Sequence, residues 1–281
     1  MASAILTVRP LTGAMGAELS GIDLSQPLDN KVLAAIRQAW LDHHVLFFRD
    51  QKLTPDQHVK FSSHFGKLTP KGFMPSLAGH PNVMVQEYPE LYKREVNDVT
   101  WHCDATFLPM PTRGSVLYAL EVPDGAGDTV WANMHAAYEN LSSHMQIFLS
   151  GLTAIHDNVH RDPGRVITQM GAEHFSTMRK ILPPIEHPVV RTHPETGRKC
   201  LFVNELMTSH IKDINRDESN ALLAFLFAHQ TKEEFQCRFR WEVNSVAFWD
   251  NRCTIHKGVF DFGDQKRLMH RVSIEDDQSP E

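Results

Sequence analysis

The chain of 281 residues lacks the features that mark several large classes of protein. No apolar run reaches the roughly 18 residues that a membrane-spanning helix needs. The N-terminus lacks the charged-then-apolar layout of a signal peptide, and neither internal repeats nor low-complexity tracts occur. These absences predict a globular protein of the cytoplasm with no membrane partner.

Cysteine and basic charge are both scarce. The four cysteines are scattered without a Cys-x-x-Cys pair, which argues against a disulfide framework and a structural zinc site. Acidic residues outnumber basic ones, so the formal net charge is −6. Because nucleic-acid-binding proteins usually carry a basic face, nucleic acid is not expected as a partner.

Hydrophobic patterning predicts a mainly β chain with flanking α-helices. Asp29 or Asn30 is expected to cap a helix that ends near His43, and Thr54 to cap another. A third, amphipathic helix is expected over 218–232. The predicted strands include 44–49, 83–85, 116–122, 129–132, 235–241, 245–249, 254–259 and 267–274. Short strands at such turn-separated intervals are typical of a sandwich or jelly roll.

No linker divides the chain, so residues 1–281 are predicted to form a single domain. The stretch from about 153 to 188 is poor in periodicity and rich in His, Arg and Pro. Long irregular stretches in a compact domain are usually functional or mobile. We therefore expect an insertion here, close to the site or at an interface.

The strongest chemical signal is a pair of ligand types, His102 and Asp104, followed far downstream by His256. Two histidines and one carboxylate form the facial triad that binds iron(II) and leaves positions open for other ligands. In an extended strand, residues i and i+2 point the same way. His102 and Asp104 are thus expected to share a face, with Cys103 pointing away from it.

Two arginines follow the distal histidine. Arg267, Met269 and Arg271 alternate along a probable strand, which places both guanidinium groups on one side. Arginine binds carboxylates and other oxyanions in bidentate fashion. The pattern therefore predicts a site for anions close to the metal.

Five short motifs occur together in a characteristic order. They are His102-x-Asp104, Gly127-Asp128-Thr129, Trp249-Asp250-Asn251-Arg252, His256, and Arg267 with Arg271. In this order they resemble the iron(II)/2-oxoglutarate dioxygenases of the taurine and 2,4-dichlorophenoxyacetate group, and the likeness extends over nearly the whole chain.

The resemblance implies a double-stranded β-helix (jelly roll) and a role for each motif. His102, Asp104 and His256 would bind Fe(II), and Arg267 and Thr129 would bind the far carboxylate of 2-oxoglutarate. Arg271 would face the anionic head of the substrate or the near end of the co-substrate. The reaction would consume O2 and release succinate and CO2, and a homodimer or homotetramer is expected by analogy.

The resemblance also predicts where the substrate binds. Lys71, Met74, Asp98 and Met207 stand where the taurine enzymes carry other residues, and Phe107 is a candidate for an apolar wall. Taurine itself is therefore not the expected substrate. A small organic anion is expected instead: a sulfonate, a sulfate ester or a phenoxyalkanoate or other carboxylate.

Two other functions agree with the same ligand set. Catalytic zinc can use two histidines and a carboxylate, so a zinc hydrolase on a cupin-like barrel is one alternative. That reading leaves Arg267 and Thr129 without a role. The other alternative is a sensor that binds metal and 2-oxoglutarate without turnover. Dependence of activity on oxygen and 2-oxoglutarate separates the dioxygenase from the hydrolase, and single-turnover release of succinate would exclude the sensor.

Overall fold

A computed structural model describes residues 6–70, 75–88, 100–161 and 163–281. Its strands are β1 (Thr7–Pro10), β2 (Ala17–Ser20), β3 (Val45–Phe48), β4 (Ser76–Leu77), β5 (His80–Tyr88), β6 (Thr112–Glu121), β7 (Thr129–Asn133), β8 (Thr153–His156), β9 (Ile185–Pro188), β10 (Val190–Thr192), β11 (Lys199–Leu201), β12 (Thr208–Ile211), β13 (Gln236–Phe239), β14 (Val246–Asp250), β15 (Thr254–Gly258) and β16 (Arg267–Glu275). Its helices are α1 (Asn30–His43), α2 (Pro55–Ser63), α3 (Met134–Glu139), α4 (Ser143–Leu149), α5 (Pro163–Met170), α6 (Ala172–Ile181) and α7 (Arg216–Gln230). The chain is thus mainly β with flanking helices, as predicted.

Side-chain caps determine where the predicted helices begin. Asp29 accepts a hydrogen bond from the Val32 amide at the start of α1, which confirms the predicted cap. Thr54 and Gln57 form a reciprocal capping box at α2, also as predicted. None of the helices in the described parts of the chain combines the length and the hydrophobicity needed to cross a membrane.

Two sheets carry the centre of the fold. The larger one has the strand order β1-β2-β3-β14-β6-β16-β5-β4, and the smaller one has the order β13-β7-β15. Their facing side chains form one buried cluster, in which Phe47 of the large sheet stacks on Phe239 of the small sheet at a centroid distance of 4.0 Å. A core between two sheets is what the alternating strands predict.

Helices cover the outer faces of these sheets. α1 and α2 pack on the large sheet, where Trp40 stacks on Phe248 at a centroid distance of 4.4 Å. On the other side of the molecule, α3 and α7 pack against β11 and the start of β15. The central strands of both sheets are therefore covered on both faces.

The segment 153–188 contains regular structure and not one long loop. β8 and β9 pair antiparallel at its two ends, with Thr153 opposite Pro188, and α5 and α6 connect them. The N-terminus of α6 has no side-chain cap, and the helix has no buried residue. Since caps and apolar stripes are what sequence patterns detect, this helix could not be predicted.

A candidate metal centre beside two cavities

The three predicted metal ligands converge. His102 forms an isolated antiparallel bridge with His256 of β15, through backbone hydrogen bonds of 3.0 and 2.7 Å. The Nε2 atoms of both histidines lie 3.9 Å from Asp104 Oδ1. One ligand atom from each of the three residues lies within 4.8 Å of the others. Residues 154 positions apart in sequence are thus brought to one point by pairing between the loop and the strand.

Hydrogen bonds orient these ligands toward a common centre. The Nδ1 atom of His102 contacts the Thr100 carbonyl at 2.8 Å, so Nε2 is the nitrogen that can bind a metal. The Ser115 hydroxyl donates to Asp104 Oδ2 at 3.0 Å and leaves Oδ1 facing the histidines. Asn251 in turn donates to Ser115 Oγ and accepts from Trp249 Nε1. The motif Trp249-Asp250-Asn251-Arg252 therefore supports the metal ligand through Ser115.

The backbone around Asp104 differs from the extended strand that the sequence suggests. His102 is extended and Cys103 points away, with its thiol donating to the Asn251 carbonyl at 2.9 Å. Asp104, however, begins a turn, and Ala105 has a φ of 57°. Non-glycine residues rarely adopt that region, and such strain is common at functional sites.

The surroundings of the site favour an ionised Asp104 carboxylate and a neutral His256 imidazole. Burial raises the pKa of the Asp104 carboxyl, but the nearby Arg271, His256 and His102 outweigh burial and hold this pKa well below its usual range. Burial, followed by the neighbouring His102, lowers the pKa of His256 to about 3. A carboxylate and a neutral imidazole are the forms in which aspartate and histidine bind a cation.

A small cavity of 40 Å³ lies against the two histidines. Thr129, Arg267 and Arg271 line it, together with aromatic residues such as Tyr88 and Phe260. The Trp241 indole N–H donates to Thr129 Oγ1 at 2.9 Å, and Arg267 Nε donates to the Gly127 carbonyl at 3.2 Å. Because Thr129 Oγ1 already accepts a hydrogen bond, its own proton is available to an acceptor in this cavity.

A larger cavity of 290 Å³ lies on the Asp104 side. Apolar side chains make up much of its wall, among them Met84, Leu108 and Met110. Arg271 lines both cavities, and its Nη1 donates to Asp104 Oδ1 at 2.9 Å. The buried Nε of Arg271 has no hydrogen-bond partner among the described residues. A buried N–H without an acceptor is costly, so this position suits an anionic ligand.

Two of the other predicted substrate residues, Phe107 and Met207, can be located in the structure. Phe107 is buried and Met207 half-buried, and neither lines the small or the large cavity. Met207 instead accepts a hydrogen bond from the Asp157 amide through its carbonyl. Lys71, Met74 and Asp98 lie outside the described residues. The roles of all five remain predictions.

Several residues of the site belong to no sequence motif that would indicate a functional role. Ser115 lies within β6, and Trp241 follows β13, so each looked like an ordinary strand residue. Thr69 lines the large cavity with a buried hydroxyl that has no partner among the described residues. These positions become visible only when the folded chain brings them beside Asp104, Thr129 and Arg271.

Comparisons with known proteins agree with this geometry. Residues 7–273 match the family model described as "Taurine catabolism dioxygenase TauD, TfdA family". An alkylsulfatase of Acinetobacter baylyi is 34% identical, with 96% of this chain and 84% of the relative covered. The alpha-ketoglutarate-dependent 2,4-dichlorophenoxyacetate dioxygenase of Cupriavidus pinatubonensis is 33% identical, with 96% and 98% covered. A crystal structure of a taurine dioxygenase from Burkholderia xenovorans superimposes with a TM-score of 0.83 at 36% identity, covering 98% of this chain and 92% of that one. The chain therefore belongs to the TauD, TfdA family of dioxygenases.

Proposed function

We propose that the protein is an Fe(II)- and 2-oxoglutarate-dependent dioxygenase that hydroxylates a small organic anion, with succinate and CO2 as co-products. The observation that carries this proposal is the position of the His102, Asp104 and His256 cluster. It lies where a small cavity lined by Thr129 and Arg267 meets a larger, more apolar cavity. A reaction with two organic reactants at one metal needs two such spaces.

The donor set fits ferrous iron. His102, Asp104 and His256 would hold the ion, which when bound would let the electrons released by decarboxylation of 2-oxoglutarate activate oxygen for attack on a C–H bond. Two imidazoles with free lone pairs and one carboxylate occupy one side of the centre. This arrangement leaves room on the other side for exogenous ligands.

Arg267 and Thr129 would bind the far carboxylate of 2-oxoglutarate. A guanidinium and a hydroxyl in a buried cavity form charge-assisted hydrogen bonds with a carboxylate, which are stronger than neutral ones. The Trp241 N–H fixes the Thr129 oxygen as an acceptor and so turns its proton toward the ligand. Anchoring one end of the co-substrate orients its 2-oxo acid end toward the metal ligands.

Arg271 would bind an oxyanion, either on the substrate or at the near end of the co-substrate. Its unpartnered Nε supports this role, as does the hydrogen bond of 2.9 Å from its Nη1 to Asp104 Oδ1, one of the proposed metal-ligand atoms. The neighbouring large cavity would take the apolar body of the substrate. A sulfate ester, sulfonate or phenoxyalkanoate combines both properties, and relatives named for alkylsulfatase and 2,4-dichlorophenoxyacetate activity agree with this class.

We further infer that the two facing sheets form the walls of a double-stranded β-helix. The support is the shared cluster that contains Phe47 and Met269 from one sheet and Trp131 and Phe239 from the other. A cytoplasmic location and a homodimeric or homotetrameric assembly remain predictions from the sequence.

Turnover assays test the function directly. The purified protein, loaded with Fe(II), should release succinate from 2-oxoglutarate in air when given a suitable sulfate ester, sulfonate or phenoxy acid. The panel should include neutral and cationic analogues of the same size. Turnover confined to the neutral or cationic compounds would reject the anion-binding role of Arg271.

The same assay without oxygen distinguishes a dioxygenase from a zinc hydrolase and from a sensor. A zinc hydrolase would consume the same esters without oxygen and without 2-oxoglutarate, and would prefer Zn(II) over Fe(II). A sensor would bind 2-oxoglutarate but release no succinate even in a single turnover. The proposal expects product only when Fe(II), oxygen and 2-oxoglutarate are all present.

A further inference from the structure

A second group of metal-ligand side chains lies in the core and takes no part in the function proposed above. His44 follows α1, His135 lies in α3, and Cys253 precedes β15. They are 3%, 0% and 1% exposed, respectively. One ligand atom from each lies within 4.8 Å of the others. Three separate elements thus place two imidazoles and a thiol at one buried point.

The spacing within this group fits a shared ion. Cys253 Sγ lies 3.6 Å from His44 Nδ1, and the His44 and His135 ring centroids lie 5.2 Å apart. Zinc binds thiolate sulfur at about 2.3 Å and imidazole nitrogen at about 2.0 Å, so two such ligands in tetrahedral geometry are about 3.5 Å apart. The observed sulfur–nitrogen distance therefore suits two ligands of one ion.

An unpartnered nitrogen points to a missing ligand. The Nδ1 atom of His135 contacts the Lys199 carbonyl at 2.9 Å, so Nδ1 carries the proton and Nε2 has the free lone pair. Nε2 is buried and has no hydrogen-bond partner among the described residues. A carbonyl that holds the non-ligating nitrogen is the usual support of a metal-binding histidine.

The adjacent polar groups are already used. His193, Asp250 and Cys253 also bring ligand atoms within 4.8 Å of one another. However, Asp250 accepts hydrogen bonds from Arg252 on both of its oxygens, and His193 donates to Oδ2 of the same carboxylate. Asp250 is thus occupied by an ion pair. In the group of His44, His135 and Cys253, the thiol lies within hydrogen-bonding distance of His44 Nδ1, and the free lone pair is that of His135 Nε2.

We propose that His44, His135 and Cys253 form a second, buried site for one thiophilic metal ion, zinc(II) or copper(I), separate from the facial triad. Imidazole and thiolate ligands select these ions over magnesium, calcium or manganese. Binding replaces the Cys253 S–H bond with a sulfur–metal bond and releases the proton to solvent, with no change in oxidation state. All three ligands are buried in the core, so the ion would join the end of α1, α3 and the start of β15 and would not take part in turnover.

The test detects a bond between the metal and a cysteine sulfur, because the facial triad contains no cysteine. The full chain carrying both His102→Ala and His256→Ala lacks the triad and is produced in medium supplemented with cobalt(II), a spectroscopic substitute for zinc. One cobalt per chain is expected, with a thiolate-to-cobalt charge-transfer band in the near ultraviolet. Cys253→Ser should abolish the band, and His135→Gln should lower the cobalt content.

Cys237→Ser is the matched control, because Cys237 is also a free, buried cysteine but lies in the cluster between the two sheets. It should retain both the cobalt and the band. A band that survives Cys253→Ser, or one that Cys237→Ser removes, contradicts the proposal.

A second experiment measures copper(I) binding. The same protein is titrated with copper(I) against a chromophoric chelator, and one equivalent should bind in a manner that requires Cys253. If Cys253→Ser does not fold, His44→Gln replaces it. A folded protein that binds neither cobalt nor copper(I) with His44, His135 and Cys253 intact overturns the proposal.

Discussion

The triad (His102, Asp104 and His256) and the proposed core site (His44, His135 and Cys253) consist of similar ligand types but differ in their access to cavities. Each has its three ligand atoms within 4.8 Å of one another, and each contains two histidines. Trp131 and Trp249 pack close to His256 of the triad, with ring centroids 6.4 and 4.9 Å away. The triad faces two cavities, whereas packed side chains surround His44, His135 and Cys253.

The difference shows why ligand type alone does not identify a catalytic site. Structural metal sites are closed and catalytic sites keep an open position. In this chain the cavity wall beside the triad also carries Arg267, Arg271 and Thr129, for which an anion-binding role is proposed above. Turnover should therefore depend on the triad, and stability should depend more on the core site.

The largest expected effect is on stability in acid. His44 and His135 of the proposed core site should contribute to it, together with other buried histidines such as His256. Burial lowers the pKa of His44 to about 3 and that of His135 to about 4. Their folded-state pKa values lie below the unfolded value, so stability is present above about pH 6.5 and is lost as the pH falls. In metal-free protein, each histidine should remove about 1.4 kcal/mol of unfolding free energy per pH unit.

Urea unfolding of metal-free protein at pH 7, 6 and 5 measures this slope. His135→Gln should reduce the slope of the unfolding free energy by about 1.4 kcal/mol per pH unit, the contribution of one histidine. His144→Ala, at an exposed position of α4, should leave the slope unchanged. A free energy of unfolding that is flat from pH 7 to 5 would show that these imidazoles are not held neutral by burial.

The next effect separates the two sites by activity. His256→Ala removes a triad ligand and should reduce succinate release by about three orders of magnitude, since a metal supplies several kcal/mol of catalysis. His144→Ala serves again as the exposed control. Steady-state rates in air provide the measurement, and near-normal turnover by His256→Ala would remove the triad from the mechanism.

Loss of the buried guanidinium should weaken co-substrate binding. Arg267→Ala should raise the KM for 2-oxoglutarate by about 10- to 100-fold, which corresponds to one charged hydrogen-bonding group. Arg9→Ala is a matched control because Arg9 is 69% exposed. Equal KM values for Arg267→Ala and Arg9→Ala would show that the small cavity does not bind 2-oxoglutarate.

A smaller effect is expected from the hydroxyl that orients Asp104. Ser115→Ala should weaken Fe(II) binding by about tenfold, because groups that orient a metal ligand contribute about 10- to 100-fold to affinity. Equilibrium Fe(II) titration under anaerobic conditions measures it. Ser63→Ala, an exposed substitution at the end of α2, should not alter the affinity.

The smallest effect concerns the indole that fixes Thr129. Trp241→Phe removes one neutral hydrogen bond of about 1 kcal/mol, so the KM for 2-oxoglutarate should rise by about fivefold while kcat is retained. A matching loss in kcat with unchanged KM would mean that Trp241 acts on a later step and not on co-substrate binding.

Helix caps and strands could be predicted from the sequence because they depend on residues close together in the chain. The caps at Asp29 and Thr54, and the strands that carry Thr129, His256 and Arg267, depend on nearby residues, and the structure confirms them. α6 has neither a cap nor a buried face, so nothing local indicated it.

Long-range contacts could not be read in the same way. Ser115 reaches Asp104 only because β6 lies beside β14 and β16, and that register requires the folded sheet. The proposed core site gives no sequence signal for a similar reason. Residues 44, 135 and 253 form no sequence motif, so the cysteine spacing does not indicate a structural metal.

Anomalous diffraction from crystals grown anaerobically with Fe(II) and 2-oxoglutarate tests the central claim most directly. We expect an iron peak bonded to His102, Asp104 and His256, with the far carboxylate of 2-oxoglutarate bound to Arg267 and Thr129. Iron located away from these three side chains, or 2-oxoglutarate bound without contact to Arg267, would contradict it.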